Sequence, residues 1–119
     1  MLDRNDQARA AYGEARTLYK QVEGRLGEAN VLLGLGDLES KLGRHDQARA
    51  AYGEARTLYK QEQHRLGEAN VLRGLGHLEA QGNAEIAKRF FYQAAHIYES
   101  LGMKSEEEGA LREAEKLDR

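Results

Sequence analysis

Residues 4–39 recur at residues 44–79, an offset of 40. Of these 36 aligned positions six differ: Asn5/His45, Val22/Glu62, Glu23/Gln63, Gly24/His64, Leu33/Arg73 and Asp37/His77. A third, diverged copy follows at an offset of 39. There Gly82-Asn83-Ala84-Glu85-Ile86-Ala87 answers Gly43-Arg44-His45-Asp46-Gln47-Ala48. Phe91, Ala94, Ile97 and Tyr98 then answer Tyr52, Ala55, Leu58 and Tyr59. A chain built this way folds as copies of one supersecondary unit, each burying its apolar face against a neighbour. Near-identity of the first two copies means recent duplication or deliberately repetitive design.

Each copy reads as two helices. Ala48, Ala51, Tyr52, Ala55, Leu58 and Tyr59 fall at spacings of three and four, an amphipathic helix of period 3.6. Asp46 near its start can cap free N–H groups or complement the helix dipole. Leu26, Ala29, Leu32, Leu35, Leu38 and Leu42 form a second stripe that Gly43 ends. No stretch alternates with period 2, so strands are not expected. The spacing predicts about six helices, at 4–22, 25–41, 45–62, 65–80, 83–101 and 105–118. Connections of about three to four residues make neighbours antiparallel. Ser105-Glu106-Glu107-Glu108 has the pattern of a capping box, and the helix after it keeps Leu111, Ala114 and Leu117 on one side.

Composition narrows the classes of function. There is no Cys, which excludes a disulfide framework, a thiolate metal site and a cysteine nucleophile. The formal charge is −2, so nothing in the balance suits a nucleic-acid backbone. No apolar run approaches the roughly 20 residues that span a bilayer, and Met1-Leu2-Asp3-Arg4-Asn5-Asp6 lacks the basic and apolar regions of a secretory signal. A cytoplasmic chain is expected, with neither nucleic acid nor membrane among its partners.

The repeat resembles the tetratricopeptide repeat family. The family pattern is a bulky residue, Leu-Gly, a turn Gly, then Ala, an aromatic and Ala along the second helix. Here these are Leu32, Leu35-Gly36, Gly43, Ala48, Tyr52 and Ala55, and then Leu72, Leu75-Gly76, Gly82, Ala87, Phe91 and Ala94. The likeness covers essentially the whole chain. Two departures stand beside it: Lys60 and Glu99 replace the usual Pro, and the period is 40 rather than 34, as in the extended repeats of scaffold and regulator proteins. The resemblance implies an all-α fold, an α-solenoid of antiparallel helix-turn-helix repeats, in one domain over 1–119. Its parts are a half repeat at 1–24 holding only a second helix, repeats at 25–64 and 65–103, and a C-terminal capping helix at 104–119. This phase fits a fragment of a longer array or a minimal repeat design.

No catalytic constellation emerges. His45, His64, His77 and His96 make no i, i+4 pair of metal-ligand spacing. His77 and Glu79, two apart on a helix, diverge. Ser40, Ser100 and Ser105 lie in no nucleophile elbow, and Gly34-Leu35-Gly36 is not a phosphate loop. The acids at Glu106–Glu108 read as a helix start. Arg16, Tyr19 and Lys20 have acids beside them, which disfavours a nucleic-acid groove. No enzyme activity, cofactor or metal is expected.

The resemblance implies instead a protein-binding scaffold whose first helices line a concave surface for a peptide or partner helix. By register the inward set is Asn30, Leu33, Asp37, Ser40 and Lys41, then Asn70, Arg73, His77, Ala80 and Gln81. Two of the six copy-to-copy differences fall in it. Arg73, His77 and Asn70 could meet a carboxylate, although the pattern of the family's carboxylate clamp is absent. The alternative is a repeat protein whose main property is folding and self-association, domain-swapped or end to end. Ala8, Ala11, Tyr12, Ala15 and Leu18 on the N-terminal helix would then be an uncovered stripe and the route to a homo-oligomer. Among the glycines, Gly34 and Gly74 are expected to thin the inner face. Gly13, Gly27, Gly53 and Gly67 have no role derivable from sequence.

Overall fold

A computed structural model describes residues 3–118. Met1 and Leu2, which opened the reading of the chain start, and Arg119 lie outside the described residues. Six helices follow one another: α1 (Arg4–Gln21), α2 (Arg25–Lys41), α3 (His45–Gln61), α4 (Arg65–Glu79), α5 (Ala84–Ser100) and α6 (Lys104–Lys116). No strand occurs among the described residues. The all-α, helix-turn-helix repeat class is what the chain adopts, with every helix end within two residues of its expected place. The chain divides into two compact units, residues 1–63 and 64–119.

The turns explain the stops. Gly43 (φ 74°) and Gly102 (φ 72°) take the left-handed conformation that ends α2 and α5. Glu23 and Gln63 adopt the same sign of φ without being glycine, after α1 and α3. Starts are more varied. The Asp3 carboxylate accepts from the Asp6 N–H at 2.8 Å, and the Asn83 amide oxygen from the Ile86 N–H at 3.1 Å. His64 Nδ1 accepts from the Gly67 N–H at 2.9 Å, whereas α2 begins at Gly24 with no side-chain cap. One difference between the near-identical copies, Gly24/His64, is therefore a difference in capping. The capping box expected at Ser105 does not form. Helix α6 begins a residue earlier, with Met103 as the capping residue, because the Met103 carbonyl already accepts from the Glu107 N–H at 2.9 Å. Glu106 and Glu107 lie in the first turn and complement the dipole instead. Asp46 does the same in α3.

In the first unit α2 lies between α1 and α3. A Cβ on Gly34 would lie 2.8 Å from the Tyr12 hydroxyl, and one on Gly27 would lie 2.3 Å from the Tyr19 ring. As α1 advances from Tyr12 to Tyr19, its glycine partner retreats along α2, so the two run antiparallel. On the other side Gly36 backs onto the Tyr52 ring and Asn30 meets Tyr59, again antiparallel. Gly34 thus seats a tyrosine of α1 rather than thinning an inner face, and Gly27 acquires the role it lacked. The core joins Ala29, Val31 and Leu32 to Ala48, Ala51, Tyr52, Ala55 and Tyr59. Glu39, buried, is met by Arg9 at 2.8 Å and Arg44 at 3.9 Å, so its charge is compensated. Glu28 is met by Arg16 (3.3 Å) and Lys20 (3.9 Å).

The second unit repeats the plan. Gly76 backs onto Phe91, and Ala69, Leu72, Ala94, Ala95, Ile97, Tyr98 and Ala110 form one apolar cluster. Phe91 packs with Ala87 and Ala114. Lys88 joins α5 to the end of the chain through Asp118 at 2.8 Å, and these carboxylate contacts hold its ammonium above the ordinary lysine range.

Candidate binding surface on the first helices of the repeats

Helices α2 and α4 carry the residues assigned to the inward set, and each belongs to its own unit. On α2, Asn30, Asp37 and Lys41 are exposed and Leu33 is half-buried. On α4, His77 and Gln81, just past the helix end, are exposed, while Asn70 and Arg73 are half-buried. Ser40 and Ala80 are half-buried.

The two asparagines share one arrangement. The Tyr59 hydroxyl donates to Asn30 Oδ1 at 2.5 Å, and the Tyr98 hydroxyl donates to Asn70 Oδ1 at 2.6 Å. Both rings are buried, which fixes the phenol oxygen and, through it, the amide. Oδ1 being occupied, the NH2 of each asparagine is the group left to donate. Sequence reasoning placed both asparagines on the surface and missed the tyrosines behind them. The available signal was that Tyr59 and Tyr98 correspond in the repeat just as Asn30 and Asn70 do.

The positions that differ between copies are tied to neighbouring helices. The Tyr52 hydroxyl donates to Asp37 at 2.5 Å. In the second unit His77 stands at the position of Asp37 and Phe91 at that of Tyr52. These rings meet edge to face, centroids 5.0 Å apart and planes at 79°. The change of one partner accompanies the change of the other. Arg73 reaches across to α6: a Cβ on Gly109 would lie 2.6 Å from Nη2. It also hydrogen-bonds Tyr98. Of the eight partner-binding candidates, Leu33 is apolar, and Lys41, His77 and Gln81 have no side-chain hydrogen bond or ion pair among the described residues.

Three tyrosines in this region hold their protons beyond the ordinary value of 10.0. Burial is the main cause for each. Asp37 adds to it for Tyr52 and Tyr59, and Arg73 opposes it for Tyr98. A raised folded value means that the unfolded chain ionises first. The stabilisation is complete below pH 10 and is lost as pH rises, by at most about 1.4 kcal/mol per pH unit from each group. In an alkaline titration, phenolate absorbance from Tyr52, Tyr59 and Tyr98 should therefore rise with the loss of helical circular dichroism. Ionisation of all six tyrosines while the helical signal is intact would contradict this.

Among the described residues no group of three or more His, Asp or Glu side chains could hold a metal ion, and no helix is long and apolar enough to cross a membrane. The fold and the repeated pairing of a glycine with an aromatic ring define a helical-repeat protein. A family model described as tetratricopeptide repeat matches residues 1–61. The chain belongs to the tetratricopeptide repeat family. This membership points to a protein-interaction role and to protein partners, since repeats of this family are typically non-enzymatic. Neither the curated proteins nor the solved structures contain a match.

Proposed function

We propose that the chain is a protein–protein interaction module in which the first helix of each repeat, α2 in one unit and α4 in the other, carries a face that takes a peptide or partner helix. In the family this is the concave face. The observation that carries the reading is the recurring tyrosine–asparagine pair. Each repeat holds an asparagine by its carbonyl oxygen and leaves the NH2 to donate. An amide so fixed loses little side-chain entropy on meeting a backbone carbonyl of an extended ligand, which favours binding. Lys41, exposed on α2, and Gln81, exposed just past the end of α4, supply the contacts that select a sequence.

The test begins with peptides selected from a random library on the immobilised chain. Asn30→Asp and Asn70→Asp keep an oxygen for the tyrosine but remove the NH2. Each should weaken the selected peptides by about tenfold, the loss of one well-placed hydrogen bond. Lys41→Glu should change which peptides are selected. Unchanged affinity in both aspartate variants, with the fold intact by circular dichroism, would remove α2 and α4 as the binding face.

A further inference from the structure

Helix α2 carries a line of polar groups that defines the chemistry of a ligand. Asn30, Asp37 and Lys41 are exposed. On a helix of 3.6 residues per turn, Asp37 and Lys41 each lie within about 20° of Asn30 around the axis, so the three share one stripe. At 1.5 Å per residue, Asn30 and Asp37 are about 10 Å apart along it, and Asp37 and Lys41 about 6 Å. The stripe therefore reads as an amide donor, a carboxylate and an ammonium.

Asp37 is the one acid of α2 that no cation compensates. Glu28 is met by Arg16 and Lys20, and Glu39 by Arg9 and Arg44. Among the described residues no ammonium or guanidinium lies within 4.0 Å of Asp37, and Lys41, one turn on, does not reach it. Asp37 is nevertheless held. The buried Tyr52 donates its hydroxyl to Oδ1 at 2.5 Å, which leaves Oδ2 to accept from a further donor. Burial and this carboxylate keep the Tyr52 proton well beyond the ordinary range, so the hydroxyl stays a donor. A carboxylate fixed in this way loses little side-chain entropy on meeting a cation. The second unit lacks the pattern. There His77, against Phe91, stands at the position of Asp37, and Gln81 at that of Lys41.

An extended peptide advances about 3.3 Å per residue, with successive side chains on opposite sides. A backbone carbonyl at Asn30 then places a residue about three positions away at Asp37, and one about two positions further at Lys41. Two positions apart, those two side chains leave the strand on the same side, so both can face α2. We infer, on the basis of the binding face proposed above, that α2 selects an extended peptide bearing a lysine or arginine and, two residues from it, an aspartate or glutamate. Asp37 reads the basic side chain and Tyr52 positions Asp37.

The probe is a library of random peptides selected in parallel on the immobilised full chain and on two variants, Asp37→Asn and Asp37→Lys. Peptides taken by the parent should carry a basic and an acidic residue two apart. Asp37→Asn keeps an oxygen for the Tyr52 hydroxyl, so its circular dichroism and thermal midpoint should match the parent. It should bind the parent's peptides about two- to fivefold more weakly, the range for one exposed ion pair, and should select no basic residue at that place. The difference should shrink as salt rises from about 0.05 M to about 0.5 M, because exposed charges are screened. Asp37→Lys should select an acidic residue there instead. Peptides that depend on Asn30 but carry no basic residue, or a basic preference that survives Asp37→Asn, would overturn the role of Asp37 and leave the binding face standing. Selection of no peptide, or binding indifferent to Asn30→Asp, would overturn both.

Discussion

Gly36→Ala should destabilise the first unit by about 1–3 kcal/mol, although alanine is the better helix former by about 1 kcal/mol. The added Cβ would sit 2.6 Å from Cδ1 and 2.7 Å from Cε1 of Tyr52, closer than carbon atoms pack. The ring has no easy retreat. It is 1% exposed, and its hydroxyl is fastened to Asp37. Either the ring tilts and breaks that hydrogen bond, or α2 moves away from α3 and opens the packing around Ala51 and Ala55. Gly53→Ala is the matched control. Gly53 also lies inside a helix, but a Cβ there meets nothing within 4 Å. With no clash, the propensity term stands alone and should stabilise by about 0.5–1 kcal/mol. Denaturant unfolding of the two variants should thus move in opposite directions from the parent. A shared direction would mean that ring contact does not govern these glycines.

That contrast also marks how far sequence alone reaches. The helices were legible because a 3.6-residue period leaves few choices once Pro is absent and the pattern repeats. Gly36 and Tyr52 were legible as positions of the family pattern, but not as partners. Gly27 and Gly34 were not, because periodicity shows that a face is apolar without showing which ring covers it. Their partners, Tyr19 and Tyr12, sit on a neighbouring helix. The same limit applies to the candidate face. Register placed Asn30 and Asn70 at the surface, but the hydroxyls that fix them come from α3 and α5. Asp37 and His77 looked like independent variation until each was found against an aromatic residue that changes with it. Ser105 misled for a local reason: a capping pattern competes with whichever carbonyl closes the first turn, and Met103 closed it one residue earlier. The Val22/Glu62 difference could be read as drift from sequence. In the structure Glu62 lies 3.6 Å from Arg25, whereas Val22 is 75% exposed.

The largest loss is expected for Phe91→Ala, about 3–5 kcal/mol, the usual range for removing a buried aromatic ring. Phe91 is 1% exposed and touches three kinds of neighbour: Gly76 on α4, the edge-to-face ring of His77, and Ala87 with Ala114. Several of the neighbours that would have to fill the void, Gly76, Ala87 and Ala114, are small and have little side chain to swing inward, so part of the cavity persists unless helices shift. Against a total stability of order 5–15 kcal/mol for a domain, this is a large fraction. The equivalent changes in the other copies give the comparison its force. Tyr52→Ala, at a site 1% exposed, should cost a similar amount. Tyr12→Ala should cost clearly less, because Tyr12 is only half-buried and part of its ring is already in water. Hydrogen exchange should report Phe91→Ala as lost protection in α4, α5 and α6, and Tyr52→Ala as lost protection in α2 and α3. Equal costs at all three positions would show that the register, and not burial, sets the value of the aromatic residue. The expected order instead ties its value to how completely the ring is buried.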